Sequence, residues 1–352
     1  MSGAGLVRGD ALAIPLGDAT VDLVVTSPPY FALRSYTDGG EHYDGQIGSE
    51  ASPTAFLEAL WAVTAECWRV LKPGGSLFVN LGDKYAGTGG GNGQTGIGGP
   101  KVDGDHDHRT MPKNNTKQTS GFVRAKSLMG LPWRYAIGCI DGQADPEGRG
   151  WILRSEIVWS KPNGLPESVT DRVRRSHEQF FHFTKEGRYH ADLTEIRPPA
   201  ATADPDDPSY RANKSNKRRK GLATPPGQSV PSLHSAARAA TADTVLPGSV
   251  WSIPTQPLQV PEWLDVDHFA AFPTEWPRRL ILGWSPPGGV VFDPFGGTGT
   301  TAMCARALGR FGVSMDLSAD YQRLAKWRIW ESGQAAKVAA KTDGERQAEL
   351  FG

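Results

Sequence analysis

The stretch GGVVFDPFGGTGTTAMCARALGR, residues 288–310, decides the fold. Val290, Val291 and Phe292 suit a buried strand, the glycines after them suit a tight turn, and TAMCARALG continues as a helix. Glycines at such a turn let the backbone approach a ligand, at a helix N-terminus that favours polar or anionic groups. The next strand, GVSMDL, ends in Asp316, 19 residues after Gly297. An acid there can accept hydrogen bonds from both hydroxyls of a ribose. The same residues also suit a plain helix cap by Asp316 or Ser318. The run Gly296-Gly297-Thr298-Gly299-Thr300 does not meet the dinucleotide pattern GxGxxG, and little chain follows for a second nucleotide-binding half. A single-nucleoside ligand such as S-adenosylmethionine fits that space better.

Working outward, LVRGDALAIPLGDATVDLVVTSPPY (6–30) reads as strand, connection, strand. Phe56, Leu57, Leu60, Trp61, Val63 and Cys67 fall at helical spacing, Pro73-Gly74-Gly75 ends that helix, and Leu77 to Val79 form a strand. LPWRYAIGCI reads as a helix, WILRSEIVWSKP and HEQFFHFTK as strands, and SADYQRLAKWRIWES as a helix. The rhythm predicts an α/β layered fold. Two stretches interrupt it. Residues 84–121 are dominated by Gly, Asn, Thr and charge, and read as a mobile loop. Residues 191–260, rich in Pro, Ala, Ser and Asp, read as a separate loop-rich region, and 332–352 as a polar tail, a weak helix or frayed end.

No apolar run approaches membrane-spanning length, and MSGAGLVRGD lacks the features of a secretory signal. Three scattered cysteines and eight histidines suggest neither disulfides nor a metal site, so the expected compartment is the cytoplasm. The formal net charge is zero, but the charges are segregated. RANKSNKRRK (211–220) has six basic residues and no acid, and DRVRRS adds Arg172, Arg174 and Arg175. Each run by itself suits a solvated face; as a binding feature it suits phosphate contact.

The strand at Val21–Val25 stops on Ser27-Pro28-Pro29-Tyr30. A proline-stopped strand with a surface tyrosine is the bland reading. The chemical one is a rigid ledge, because the prolines set φ near −65° and hold Ser27 extended.

Together, TSPPY, DPFGGTGTT and FPTEWPRRLI, in this order, resemble the permuted β group of the exocyclic-amino DNA methyltransferases. WRVLKPGGSLFV and WSKPNGLPESVTDRVRRSHEQFFHFTK are similar to its framework segments. The resemblance implies a circularly permuted, Rossmann-like S-adenosylmethionine-dependent fold, a mostly parallel sheet with helices on both faces, with 1–190 and 261–331 as the catalytic domain. It implies catalysis by Ser27, Pro28, Pro29 and Tyr30. It places the cofactor against Phe272, Pro273, Phe292, Asp293, Pro294, Phe295, Gly296, Gly297, Thr298 and Gly299, with Asp316 at the ribose and Asp10 at the adenine. It puts target recognition in 191–260, with Arg172, Arg174, Arg175, Lys217, Arg218 and Arg219 on double-stranded DNA. Serine before Pro-Pro-Tyr implies cytosine N4 as the target, with adenine N6 the alternative. An RNA or small-molecule methyltransferase and a catalytically dead DNA-binding relative are the remaining readings. A partner restriction nuclease is expected for this group, and the chain is expected to act as monomer or homodimer. QAELFG at the C-terminus resembles a sliding-clamp-binding peptide, with Gln347, Leu350 and Phe351 at its anchor positions.

Overall fold

Strand Val21–Thr26 (β2) is buried along nearly its whole length, as a central strand covered on both faces must be. A computed structural model describes residues 2–32, 37–38, 41–42, 46–87, 122–164, 166–198, 244–266 and 271–351, with side chains left out at 37–38, 41–42 and 346–351. β2 lies inside an eight-stranded sheet whose other strands are Gly3–Arg8 (β1), Leu71–Leu81 (β3), Ile152–Ser160 (β4), His177–Thr184 (β5), Val250–Ser252 (β6), Val290–Asp293 (β7) and Phe311–Asp316 (β8). The order is β1-β8-β7-β2-β3-β5-β4-β6. The first five run parallel, β5 is antiparallel to both neighbours, and β6 pairs parallel with β4. The first strand of the chain therefore pairs with the last, which is the permuted order expected from the motifs.

Helices flank the sheet in two groups. Pro53–Val70 (α1) and Leu131–Ile140 (α2) pack together. Ser52 caps α1 by accepting from Ala55 N at 3.2 Å, and the helix buries Phe56, Leu57, Leu60, Val63 and Cys67. The second group is Glu275–Trp284 (α3), Thr300–Ala307 (α4), Ala319–Trp330 (α5) and Gln334–Phe351 (α6), with α4 touching the other three.

Two boundaries differ from the sequence reading. The chain divides into one unit of 1–192 with 249–352 and another of 193–248, so 249–260 belongs with the sheet rather than with the loop-rich region. The reason is the alternation in VWS, which buries Trp251 at the sheet edge while Ile253 O accepts from Trp159 Nε1 at 2.7 Å. The second unit is described only at 193–198 and 244–248, where Val245 N donates to Pro198 O. The tail is also more ordered than a frayed end. α6 buries Val338 and Thr342, and Arg278 of α3, nearly inaccessible, pairs with Glu345 at 2.8 Å while Lys341 pairs with Glu275 at 2.5 Å.

Candidate active site

Parallel strands end at one edge of a sheet, and register decides which residues meet there. Arg8 pairs with Asp316, Ser314 with Asp293, Val24 with Phe292, and Thr26 with Val79. Asp10, Asp316, the glycine turn, the Ser-Pro-Pro-Tyr ledge and the end of β3 thus follow one another along that edge. β5 is antiparallel, so it is the beginning of β5, Glu178 and Gln179, that reaches the same edge.

The glycine turn is built around Asp293. Its carboxylate is fully buried and accepts from Thr26 Oγ1 at 2.8 Å, Thr301 Oγ1 at 2.9 Å and Phe295 N at 3.1 Å. Burial pushes its pKa up to about 6, against the opposing hydrogen bonds from Thr26 and Thr301. Asp293 therefore ties the turn to the residue preceding Ser27. Gly296 N donates to Met315 O at 2.8 Å, and a Cβ at Gly296 would lie 1.9 Å from Ser314 Oγ. Gly299 (φ +72°) could not carry a side chain either, since Ala325 Cβ would be 2.9 Å away. Beneath the turn, buried Arg328 donates to Thr298 Oγ1 at 2.5 Å and Thr300 Oγ1 at 2.6 Å, and burial lowers its pKa to about 10.

Of the cofactor residues expected from sequence, the turn leaves Phe295, Gly297 and Asp316 partly exposed, and Asp10 exposed. Asp316 accepts from Gly297 N and from Ser318 N, both at 2.9 Å. Ser318 rather than Asp316 caps α5, by accepting from Tyr321 N. A carboxylate has about four acceptor sites, so Asp316 suits ribose hydroxyls alongside these amides. Asp10 Oδ1 accepts from Leu12 N at 2.9 Å. Half-buried Phe272 lies on Trp276 (ring centroids 4.0 Å apart) beside buried Pro273, and Thr274 O accepts from Cys304 of α4. Phe292, Asp293 and Pro294 are buried, with Phe292 in the core, so their side chains secure the turn instead of lining its open side. A carboxylate and backbone amides beside a turn that admits no Cβ fit a nucleoside cofactor.

The ledge has partners that the sequence did not reveal. Ser27 Oγ donates to Asn80 Oδ1 at 3.2 Å, and Asn80 Nδ2 donates to Gln179 O at 3.2 Å. The second bond fixes the amide: turned over, it would set oxygen against a carbonyl. Ser27 therefore spends its proton on Asn80 and presents lone pairs. Tyr30 OH lies 2.7 Å from Glu178 Oε2 and 2.9 Å from Asn80 Oδ1, and its one proton serves these two acceptors. Glu178 also pairs with Lys161, whose ammonium sits 4.4 Å from the Trp159 ring centroid. Gly82 makes room for Tyr30, since a Cβ there would lie 2.7 Å from Tyr30 Cε2. Asn80, Gly82, Glu178 and Lys161 stood in framework segments such as HEQFFHFTK and WSKP, with nothing local to mark them.

The expected DNA contacts divide. Arg172 pairs with Glu167 at 2.5 Å and stacks over Tyr85 at 4.0 Å; Arg175 donates to Asp83 O; exposed Arg174 donates to Gly164 O at 2.6 Å. These arginines fasten the β4–β5 loop, a role that the run of charge did not disclose. Lys217, Arg218 and Arg219 lie outside the described residues, as does 88–121 of the glycine-rich loop. Gln347–Phe351 belongs to the backbone of α6, its side chains outside the description.

A parallel sheet with a glycine turn, a ribose-type acid and a proline ledge at one edge defines the methyltransferase class of α/β fold. A family model described as DNA methylase matches residues 21–327, and the chain belongs to this family of N6- and N4-acting DNA methyltransferases. The Type II methyltransferase M.Cfr9I of Citrobacter freundii is 34% identical over 343 residues, covering 97% of this chain and 92% of its own. The PvuII DNA methyltransferase, described as cytosine-N4-specific, shares the fold with a TM-score of 0.58 at 17% identity, over 98% of this chain and 94% of its own. A DNA modification methylase of Thermus thermophilus complexed with S-adenosyl-L-methionine has a TM-score of 0.50 at 22% identity, over 96% of each chain. Among the described residues no helix is long and apolar enough to cross a membrane.

Proposed function

We propose that this DNA methyltransferase modifies the exocyclic N4 amine of a cytosine extruded from double-stranded DNA. Bound at the turn, S-adenosylmethionine supplies the electrophilic methyl group. The observation that carries the reading is the Ser27–Asn80 hydrogen bond at 3.2 Å. An exocyclic amine is a poor nucleophile because its lone pair is delocalised into the ring. As the nitrogen becomes tetrahedral and positive, its N–H groups need acceptors aimed at it. Ser27 Oγ, with its proton committed to Asn80, is one such acceptor, and the Pro28 carbonyl is the other. Tyr30 offers a ring face for the extruded base, and extrusion is required because the nitrogen cannot be reached in line within the duplex. The extra proton on the product nitrogen leaves to water.

Phe295, Gly297, Asp316 and Asp10 hold the cofactor in this reading, with Phe272 at its methionine end. Target recognition belongs to 191–260, and Lys217, Arg218 and Arg219 contact phosphates, so neutralising them weakens binding uniformly and flattens its salt dependence. A cytoplasmic location, a companion nuclease, a monomeric or homodimeric state and a clamp contact through Gln347–Phe351 complete the proposal. The deciding experiment is mass spectrometry of nucleosides from the DNA of an expressing host. N4-methylcytosine is expected. N6-methyladenine would overturn the choice of base, and unmodified DNA the activity.

A further inference from the structure

The loop between β4 and β5 is turned inside out for a surface loop. Its arginines are drawn inward: Arg172 to Glu167 and the Tyr85 ring, Arg174 to Gly164 O, and Arg175 to Asp83 O. Glu167 also accepts from Arg175 N at 3.2 Å. Between them Val173 points out, and at 86% it is the most exposed large apolar side chain among the described residues. A single exposed apolar residue is ordinary, but here three cations hold the loop while the valine is presented.

The loop is fastened to the catalytic ledge at both ends. Asp83, which receives Arg175, follows Gly82, the residue against the Tyr30 ring. Ser176 O accepts from Lys161 N at 2.7 Å, and Lys161 pairs with Glu178, which holds Tyr30 OH. An apolar tip is thus carried rigidly beside the pocket that receives an extruded base.

Extrusion leaves a gap in the stack, and apolar side chains are well suited to enter a base step. We propose that Val173 is the residue that enters the duplex at the position vacated by the target base. The inference rests on the DNA-methyltransferase reading but not on which base is methylated. The neighbouring arginines set the loop and leave the apolar contact to Val173.

The test uses the full-length protein and a duplex containing its own site, located first by mapping methylation in host DNA. Methylation by the wild type on that duplex establishes the activity independently. Val173→Gly and Val173→Ser are compared with wild type on the paired duplex and on one with an abasic position opposite the target base, where extrusion meets less resistance. On the paired duplex both variants are expected to lose kcat/KM by about tenfold or more, on the order of 1.4 kcal/mol. On the pre-opened duplex the loss should shrink to about twofold or less, roughly 0.4 kcal/mol. An unchanged rate on the paired duplex, or an equal loss on both, would overturn the proposal. A fall in melting temperature in both variants would do so too, because it would make Val173 a structural residue.

Discussion

Thr26 and Asp293, 267 positions apart in the chain, share a buried hydrogen bond of 2.8 Å. Thr26 ends the strand that leads into Ser27, and Asp293 begins the turn that carries the cofactor motif. Methyl transfer needs donor and acceptor in line to a fraction of an ångström, and this bond, with Thr301 on the other carboxylate oxygen at 2.9 Å, sets one motif against the other.

Because the pKa of Asp293 rises from 3.8 to about 6 in the fold, the folded chain holds its proton more tightly than the unfolded chain. Its contribution is fully present below pH 3.8 and is lost as pH rises through about 6. Across that window Asp293→Asn should lose less stability than wild type, by on the order of 2–3 kcal/mol. Denaturant melts of both proteins at several pH values measure it; parallel curves would refute the assignment.

Ser27→Ala should lower kcat by a hundredfold or more, on the order of 3 kcal/mol of transition-state stabilisation, with little change in S-adenosylmethionine affinity. Asn80→Leu should do so in part, because Ser27 then keeps its proton and competes as a donor. Calorimetric titration with the cofactor beside single-turnover kinetics separates the two effects. An equal loss of affinity and rate would mean that the ledge belongs to the cofactor pocket.

Gly82→Ala introduces a Cβ 2.7 Å from Tyr30 Cε2. With the Tyr30 hydroxyl held by Glu178 and Asn80, the ring has little freedom to yield, and overpacking of this kind costs about 1–3 kcal/mol. Turnover should drop about tenfold or more; full activity would show the ring free to move.

Burial alone would raise the carboxyl of Glu275, but Arg278, and then Lys341 and Arg279, overcome it and hold the pKa at about 2. The stability that it supplies is present above pH 4.5 and is lost as pH falls toward 2. Glu275→Gln should loosen α6 at neutral pH, seen as faster amide exchange over 334–345, and should lose less than wild type on acidification. Unchanged exchange would show that α6 docks through Val338 and Thr342 alone.

The same contrast governs what could be read in advance. The glycine turn, the acid that follows it and the proline ledge are local features. Their backbone demands and chemistry lie within a few residues, so DPFGGTGT, Asp316 and TSPPY identified the fold class and the motif order. Asp293 was expected against the cofactor and lies in the core, because burial is set by neighbours from other strands. The arginines of DRVRRS are basic in any context, yet whether they meet phosphate or Glu167 and Asp83 depends on loop closure.

Sequence by itself determined the strands, the turns and the residues whose chemistry is intrinsic: a hydroxyl, a fixed proline, a permissive glycine, an acid at a strand end. Tertiary structure alone decided which polarity the Ser27 hydroxyl presents and what holds Tyr30. Asn80, Glu178 and Lys161 reach the ledge only because β3, β5 and β4 pair in one register. A shift of one residue would turn each of those side chains to the opposite face. Register is a property of the whole sheet, written in no single segment.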